Sequence, residues 1–218
     1  MEKVNTNEIL AQATAYIEAR LRPIIAAIGE ELEGNIFDEG PNIDIFLPKR
    51  QNITMAAQGK KHALEIGFNA GFSTVLFLMS NPELHMTCVD IGWHRYTVPC
   101  YEQIRRDFGD RVSIMIGDSK LVVPTIQDKF DLIHIDGDHG LDIAELDICN
   151  TFRLLDSPAT VIMDDVNIYD NSPLGNLWKR YTEILHYQPP PFQQIVNHHQ
   201  DIRMYIKKYE GVMKMSFN

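Results

Sequence analysis

Five short apolar runs recur along the middle of this 218-residue chain, each carrying a glycine or a carboxylate near its end: HALEIGF at 62–68, HMTCVDI at 85–91, VSIMIGD at 112–118, FDLIHIDGD at 130–138 and ATVIMDDV at 159–166. Helix-like stretches separate them, the clearest being GLDIAELDICNTFRLL before the fifth. Strands that alternate with helices pair through crossovers, and crossovers make a parallel sheet covered on both faces. Open sheets of that kind bind ligands in the crevice at the carboxyl ends of their strands. Glu65, Asp90, Asp118, Asp136, Asp164 and Asp165 fall at those ends.

The flanks add two further elements. From Thr6, EILAQATAYIEARLRPIIAAIGEEL keeps apolar residues at helical spacing, with Thr6 or Asn7 as N-cap, an interruption at Pro23 and Gly34 as a stop, predicting one kinked helix or two. Residues 35–48 carry Gly40-Pro41 and Pro48 and read as an irregular connection, followed by a short helix over 49–58. We therefore expect a helical extension over 1–47 and a main domain over 48–218. LGNLWKRYTEIL is helical again, and beyond Pro189-Pro190-Pro191 the runs QQIVNHH and DIRMYIKKY alternate as an antiparallel hairpin would. The hairpin brings the expected sheet to seven strands.

Charge and cysteine usage exclude several classes of function. Twenty basic against 30 acidic residues give a net charge of −10. That total repels phosphate backbones, so nucleic acid is a poor partner. No apolar run approaches the roughly 20 residues a bilayer span needs, and no signal peptide is visible, so no membrane partner and a cytoplasmic location are expected. Cys88, Cys100 and Cys149 form no C-x-x-C pair and read as reduced thiols.

The chemistry sits in the strand-end turns. In Glu65-Ile66-Gly67-Phe68-Asn69-Ala70-Gly71-Phe72-Ser73 a strand runs through a G-x-x-x-G turn into a helix, whose N-terminus offers free N–H groups to an anion. The spacing is not the G-x-G-x-x-G of dinucleotide sites, which disfavours a nicotinamide dehydrogenase. Asp90, 23 residues beyond Gly67 and followed by Ile91, stands where a carboxylate can take both ribose hydroxyls. Gly117-Asp118-Ser119 supplies a turn, a carboxylate and a hydroxyl suited to the edge of an adenine. Together they describe a nucleoside site that needs no phosphate.

LEIGFNAGFS, VDIG, IGDSKLVVP, LIHIDGDH and VIMDDVN, in this order over roughly 48–167, resemble the motifs of class I S-adenosylmethionine-dependent methyltransferases, and most closely the catechol and caffeoyl-coenzyme A O-methyltransferase group. IDGDH also resembles the macrocin-type O-methyltransferases. The resemblance implies a Rossmann-like fold in which Glu65, Gly67 and Ser73 hold the methionine end of the cofactor, with Phe68, Asn69 and Gly71 shaping the loop. Asp90 and Ile91 would then take the ribose, and Gly117, Asp118 and Ser119 the adenine. It also implies a magnesium ion on Asp136, Asp164 and Asp165, Asp136 bordering the cofactor as well. Catechol-type relatives usually carry Asn where Asp165 stands, and Asn167 is a further candidate for that shell.

A physical argument runs beside the resemblance: three carboxylates converging from adjacent strand ends repel unless a cation or protons neutralise them. The residues alone leave other assignments open, with Asp164 capping a helix, Asp165 solvated and Asp136 serving the cofactor. His139, three residues after Asp136, matches the position of a proton-removing lysine in the catechol-type enzymes, and His139 or Asp136 is the expected base; a structural capping role for His139 also stays open. His198-His199 reads as a solvated pair in the terminal turn. Trp93, Trp178, Tyr169 and Phe192 would line an acceptor pocket or pack in the core. The expected activity is a magnesium-dependent O-methyl transfer to a small phenolic or sugar diol. A metal-independent methyltransferase and an inactive nucleoside-binding protein of the same fold are the alternatives. The N-terminal helix is expected to pack on its own domain, with a homodimer left open.

Overall fold

A computed structural model of the chain describes residues 5–34, 36–37, 44–167, 171–197 and 199–207. Tyr169, His198 and the Gly40-Pro41 turn lie outside the described residues.

Six strands form one sheet among the described residues, β1 (His62–Ile66), β2 (His85–Asp90), β3 (Val112–Ile116), β4 (Phe130–Ile135), β5 (Leu155–Asp164) and β6 (Gln200–Tyr205), in the order β3-β2-β1-β4-β5-β6. The first five pair in parallel, as the alternation requires, and β6 returns antiparallel beside β5. Consecutive strands run outward from β1 to β3, and the chain then crosses back to place β4 on the other side of β1. The crevice at that reversal, between β1 and β4, is where an open sheet binds its ligand.

Among the described residues the seventh strand is not formed. Gln193–Asn197 carries no ladder because Asn52 of α3 (Leu47–Ala56) takes the backbone of Ile195 instead, Nδ2 donating to its carbonyl at 2.9 Å and Oδ1 accepting its N–H at 2.7 Å. The outer arm of the antiparallel return shrinks to one bridge, Gln188 to Met204, further upstream than the alternating run suggests. Strand β5 begins at Leu155, ahead of the expected 159, and its register against β4 slips around Pro158, which has no N–H to give.

Two apolar layers cover the sheet. On one face pack α1 (Thr6–Tyr16), α2 (Arg22–Ile28), α3, α4 (Phe72–Ser80) and α5 (Thr97–Phe108), joined by Ala13, Ile17, Leu21, Ile53, Leu76 and Ile104. On the other lie α6 (Ser119–Val122), α7 (Leu141–Phe152) and α8 (Pro173–Ile184), around Ile133, Ile148, Val161 and the fully buried Trp178. Trp178 is thus a core residue, its indole N–H donating to Asp201 at 2.7 Å, and Phe192 packs against the first layer.

The N-terminal segment resolves as a continuous rod with a defect. Asn5, not Thr6 or Asn7, caps α1 through a bond from the Glu8 N–H. A π-helical turn over Ile17–Leu21 precedes α2, whose first turn holds Pro23. The wider turn absorbs the hydrogen bond that proline cannot donate. Gly29, at φ 69°, ends the helix five residues before the expected Gly34. No helix among the described residues is long and apolar enough to cross a membrane, and the three cysteines are free thiols.

Candidate functional site

A cavity of about 710 Å³ opens over the carboxyl ends of β1, β2 and β4. Its floor is the turn after β1. The Gly67 N–H reaches back to the Val89 carbonyl and the Asp136 N–H to that of Ile66, both at 2.9 Å, so three strand ends are stitched side by side. Gly67 has φ 91°, and a Cβ there would run into the Asp136 carbonyl. The backbones approach too closely for any side chain at this position. Gly71, at φ 77°, starts α4, where a Cβ would strike the Phe68 ring.

Asp90 organises the loop above it. One carboxylate oxygen accepts the Asn69 N–H and the other the Gly92 N–H, each at 2.7 Å. Asn69 adopts φ 53° to present that N–H, and its amide group donates to the carbonyls of Glu33 and Gly34 at 2.6 and 3.0 Å, tying the N-terminal connection over the cavity mouth. Gly67, Phe68, Asn69, Ser73, Asp90, Ile91, Gly117, Asp118, Ser119 and Asp136 all line the cavity. Asp118 also caps α6, accepting the Lys120 N–H at 3.0 Å. The exposed Trp93 stands on the rim, 80% accessible.

Glu65 and Gly71 lie behind this wall. The Glu65 carboxylate is fully buried, accepting from Ser73 Oγ at 2.6 Å and from Thr74 Oγ1, and it meets His134 Nδ1 at 2.9 Å. The Ser73 hydroxyl thereby spends its proton on Glu65 and turns a free lone pair toward the cavity.

At the opposite end the three expected carboxylates converge on an ammonium group. Lys49, on α3, is buried, with Nζ 2.6 Å from Asp164 Oδ2 and 3.6 Å from Asp165 Oδ1. His134 lies beneath, its Nε2 3.8 Å from Asp164 Oδ2. Lys49, Asp164, His134 and Glu65 therefore alternate in sign along the end of the sheet. Burial opposes the charge on His134, but Asp164 and Glu65 outweigh it and lift its pKa to about 10. Burial likewise opposes ionisation of Asp164, and Lys49 with His134 reverses this and holds it below the ordinary carboxylate range. For Asp136 the balance goes the other way: burial first and then repulsion from Asp164 outweigh the attraction of His134 and Lys49 and push it well above that range.

Asp164 is sealed under Lys49 and does not face the cavity, whereas Asp136, His139 and Asp165 do. His139 Nε2 is 2.9 Å from Asp165 Oδ2, a pairing that raises the imidazole pKa. Candidate ligand atoms gather as two sets that share Asp136, one with His134 and Asp164, the other with His139 and Asp165. Magnesium takes oxygen donors in a near-octahedral shell. Each set contains an imidazole, and the buried one already holds an ammonium, so the all-carboxylate seat that the resemblance implies does not fit a magnesium ion here. Asn167 is not among the lining residues; its carbonyl lies against Gly175.

Two site residues escape the sequence reading. His199 is not a solvated histidine: it lines the cavity 5.5 Å from the Phe46 ring, and its carbonyl accepts the Asp165 N–H at 2.7 Å. Lys49 passes as an ordinary helix cation in the sequence. Its spacing held the signal, since Ile53 and Ala56, four and seven residues on, are buried and share its face.

Residues 64–166 match the family described as a methyltransferase domain. An O-methyltransferase of Aspergillus flavus, imqG, is 21% identical over 164 residues, covering 70% of this chain and 65% of that protein; the match thus spans less than two thirds of the relative's length. Among solved structures, the O-methyltransferase of Bacillus cereus in complex with S-adenosylhomocysteine superposes with a TM-score of 0.58 at 20% identity, over 88% of this chain and 91% of that one. TomG of Streptomyces achromogenes, an O-methyltransferase involved in tomaymycin synthesis and bound to S-adenosylmethionine, gives 0.56 at 18% identity over 72% and 79%. At such identities the superpositions speak for the fold.

Proposed function

We propose that residues 64–166, which match a methyltransferase domain family, form a domain of the class I S-adenosylmethionine-dependent kind, and that the protein transfers the cofactor's methyl group to a hydroxyl of a small molecule, a phenol or a sugar diol. One observation carries the reading: a single cavity has a nucleoside-binding end built on Asp90 and an acid–base end built on Asp136, His139 and Asp165. The O-methyltransferases among its matches support oxygen as the acceptor atom.

In this reading the ribose hydroxyls donate to the second lone pairs of the Asp90 carboxylate, and the Asn69 and Gly92 N–H groups fix its orientation. Gly117, Asp118, Ser119 and Ile91 enclose the adenine. The Ser73 oxygen accepts from the methionine ammonium, while Glu65 acts through Ser73 as a positioning residue. At the far end the acceptor hydroxyl gives its proton to His139, its oxygen forms the new C–O bond, and the C–S bond breaks with its electrons left on sulfur. Neutral S-adenosylhomocysteine is the second product. The sulfonium is already activated, so the protein supplies alignment and deprotonation rather than a nucleophile of its own. No step in this reading requires magnesium.

Calorimetric titration of S-adenosylmethionine and S-adenosylhomocysteine tests the reading. Micromolar binding by the wild type and at least a hundredfold loss in Asp90→Ala are expected. Absence of binding by the wild type would sink it.

A further inference from the structure

We propose that Lys49 is the resident cation of the acceptor end, holding the place a divalent ion would take, so that methyl transfer proceeds without a bound metal. The inference rests on the methyltransferase reading above. It starts from the charge balance: Asp136, Asp164 and Asp165 leave adjacent strand ends together and need a neutralising partner. The partner is present in the chain itself. Lys49 Nζ is at 2.6 Å from one carboxylate and 3.6 Å from the next, and the side chain is 6% exposed.

The ammonium is held there by its helix. Lys49 shares the buried face of α3 with Ile53 and Ala56, and Asn52, three residues on, is pinned to both backbone groups of Ile195. The helix is packed against α4 and clasped to the C-terminal segment, so the Lys49 stem starts from a fixed, buried position, and its ammonium leaves only by giving up the carboxylates it contacts. A divalent ion entering beside it would meet a positive charge at contact range and would compete with Lys49 for Asp164 Oδ2. The cavity-facing set that remains includes the His139 imidazole, itself paired with Asp165 at 2.9 Å.

Chemically, an ammonium at the cavity wall can do what a metal does for an acceptor oxygen. Lys49 lines the cavity and carries three N–H donors. A donor left over from the carboxylates stabilises the oxyanion that forms as the hydroxyl proton passes to His139. A point cation of this kind orients one oxygen rather than chelating two, so the adjacent hydroxyl of a diol becomes dispensable for binding.

The test is calorimetric titration of magnesium chloride into the full chain saturated with S-adenosylhomocysteine, for the wild type, Lys49→Arg and Lys49→Met. The wild type and Lys49→Arg are expected to show no magnesium binding up to millimolar concentration, and the wild type to bind S-adenosylhomocysteine equally in magnesium and in chelator. Lys49→Met, with the ammonium between Asp164 and Asp165 removed, is expected to acquire magnesium binding, read independently as a magnesium-dependent rise in Tm. Submillimolar binding to the wild type that disappears in Asp165→Asn overturns the proposal, as does a folded Lys49→Met that ignores magnesium. If Lys49→Met does not fold, the wild-type titration decides alone. Failure of S-adenosylhomocysteine to bind is a separate result and overturns the methyltransferase reading instead.

Discussion

At the scale of single residues the acceptor end is governed by who is paired with whom. Asp164 has Lys49 and His134; Asp165 has His139; for Asp136, burial and repulsion from Asp164 outweigh the pull of His134 and Lys49. The consequence that can be measured falls on His139. The bond to Asp165 favours imidazolium and outweighs the burial that opposes it, so the pKa lies above the ordinary midpoint of roughly 6.5. A base must be neutral to accept a proton, so kcat/KM should rise with pH through a midpoint above the usual imidazole range. In Asp165→Asn the midpoint should fall toward the ordinary value, and in His139→Ala the limb should vanish with a loss of about 100-fold or more. A pH–rate profile unchanged in His139→Ala would remove the residue from the chemistry. These roles were only partly legible beforehand: the strand-end carboxylates announced a cation, and the sequence did not say that it is an ammonium seventeen residues upstream of β1's end.

At the scale of elements, the N-terminal rod is attached to the sheet layer by a polar clasp as well as by apolar packing. Asp107 of α5 accepts from Arg20 at 2.9 and 3.2 Å, from Tyr16 at 2.8 Å and from Gln103 at 2.7 Å. Arg20 first, then Gln103 and Tyr16, outweigh the opposing desolvation and bring the Asp107 pKa down to about 2. A carboxyl depressed in the folded state stabilises above its unfolded pKa of roughly 3.9 and ceases to as pH falls toward the folded value. Asp107→Ala should therefore cost on the order of 1 kcal/mol near neutrality, a figure discounted for the half-exposed Arg20. The difference from wild type should shrink below pH 4 or so and be gone near pH 2; denaturant unfolding at several pH values measures it, and a constant difference would mean the clasp is not electrostatic. The periodicity of α1 announced a buried stripe, but no local pattern could say that the π turn aims Arg20 at a helix more than eighty residues away.

At the scale of the whole molecule, the cavity is closed by parts drawn from both ends of the chain: Glu33 and Gly34 over its mouth, the turns after β1, β2 and β4 as its floor, and His199 beside Asp165. A ligand that bridges these parts must stabilise the fold as a whole. S-adenosylhomocysteine at a hundred times its Kd should add about 2.7 kcal/mol, which for a domain of this size raises Tm by about 5–10 °C. Thermal denaturation with and without the ligand measures the shift, and its persistence in Asp90→Ala would place the ligand elsewhere. The alternating apolar runs determined the parallel sheet and the strand-end carboxylates by themselves, because strand period and turn chemistry are local properties of the sequence. The missing seventh strand, the return of His199 to the cavity and the Lys49 ammonium among the carboxylates were decided only in three dimensions. Each depends on α3 meeting segments far from it in the chain, Asn52 on Ile195 and Lys49 on Asp164, and no local propensity encodes which distant group a side chain will meet.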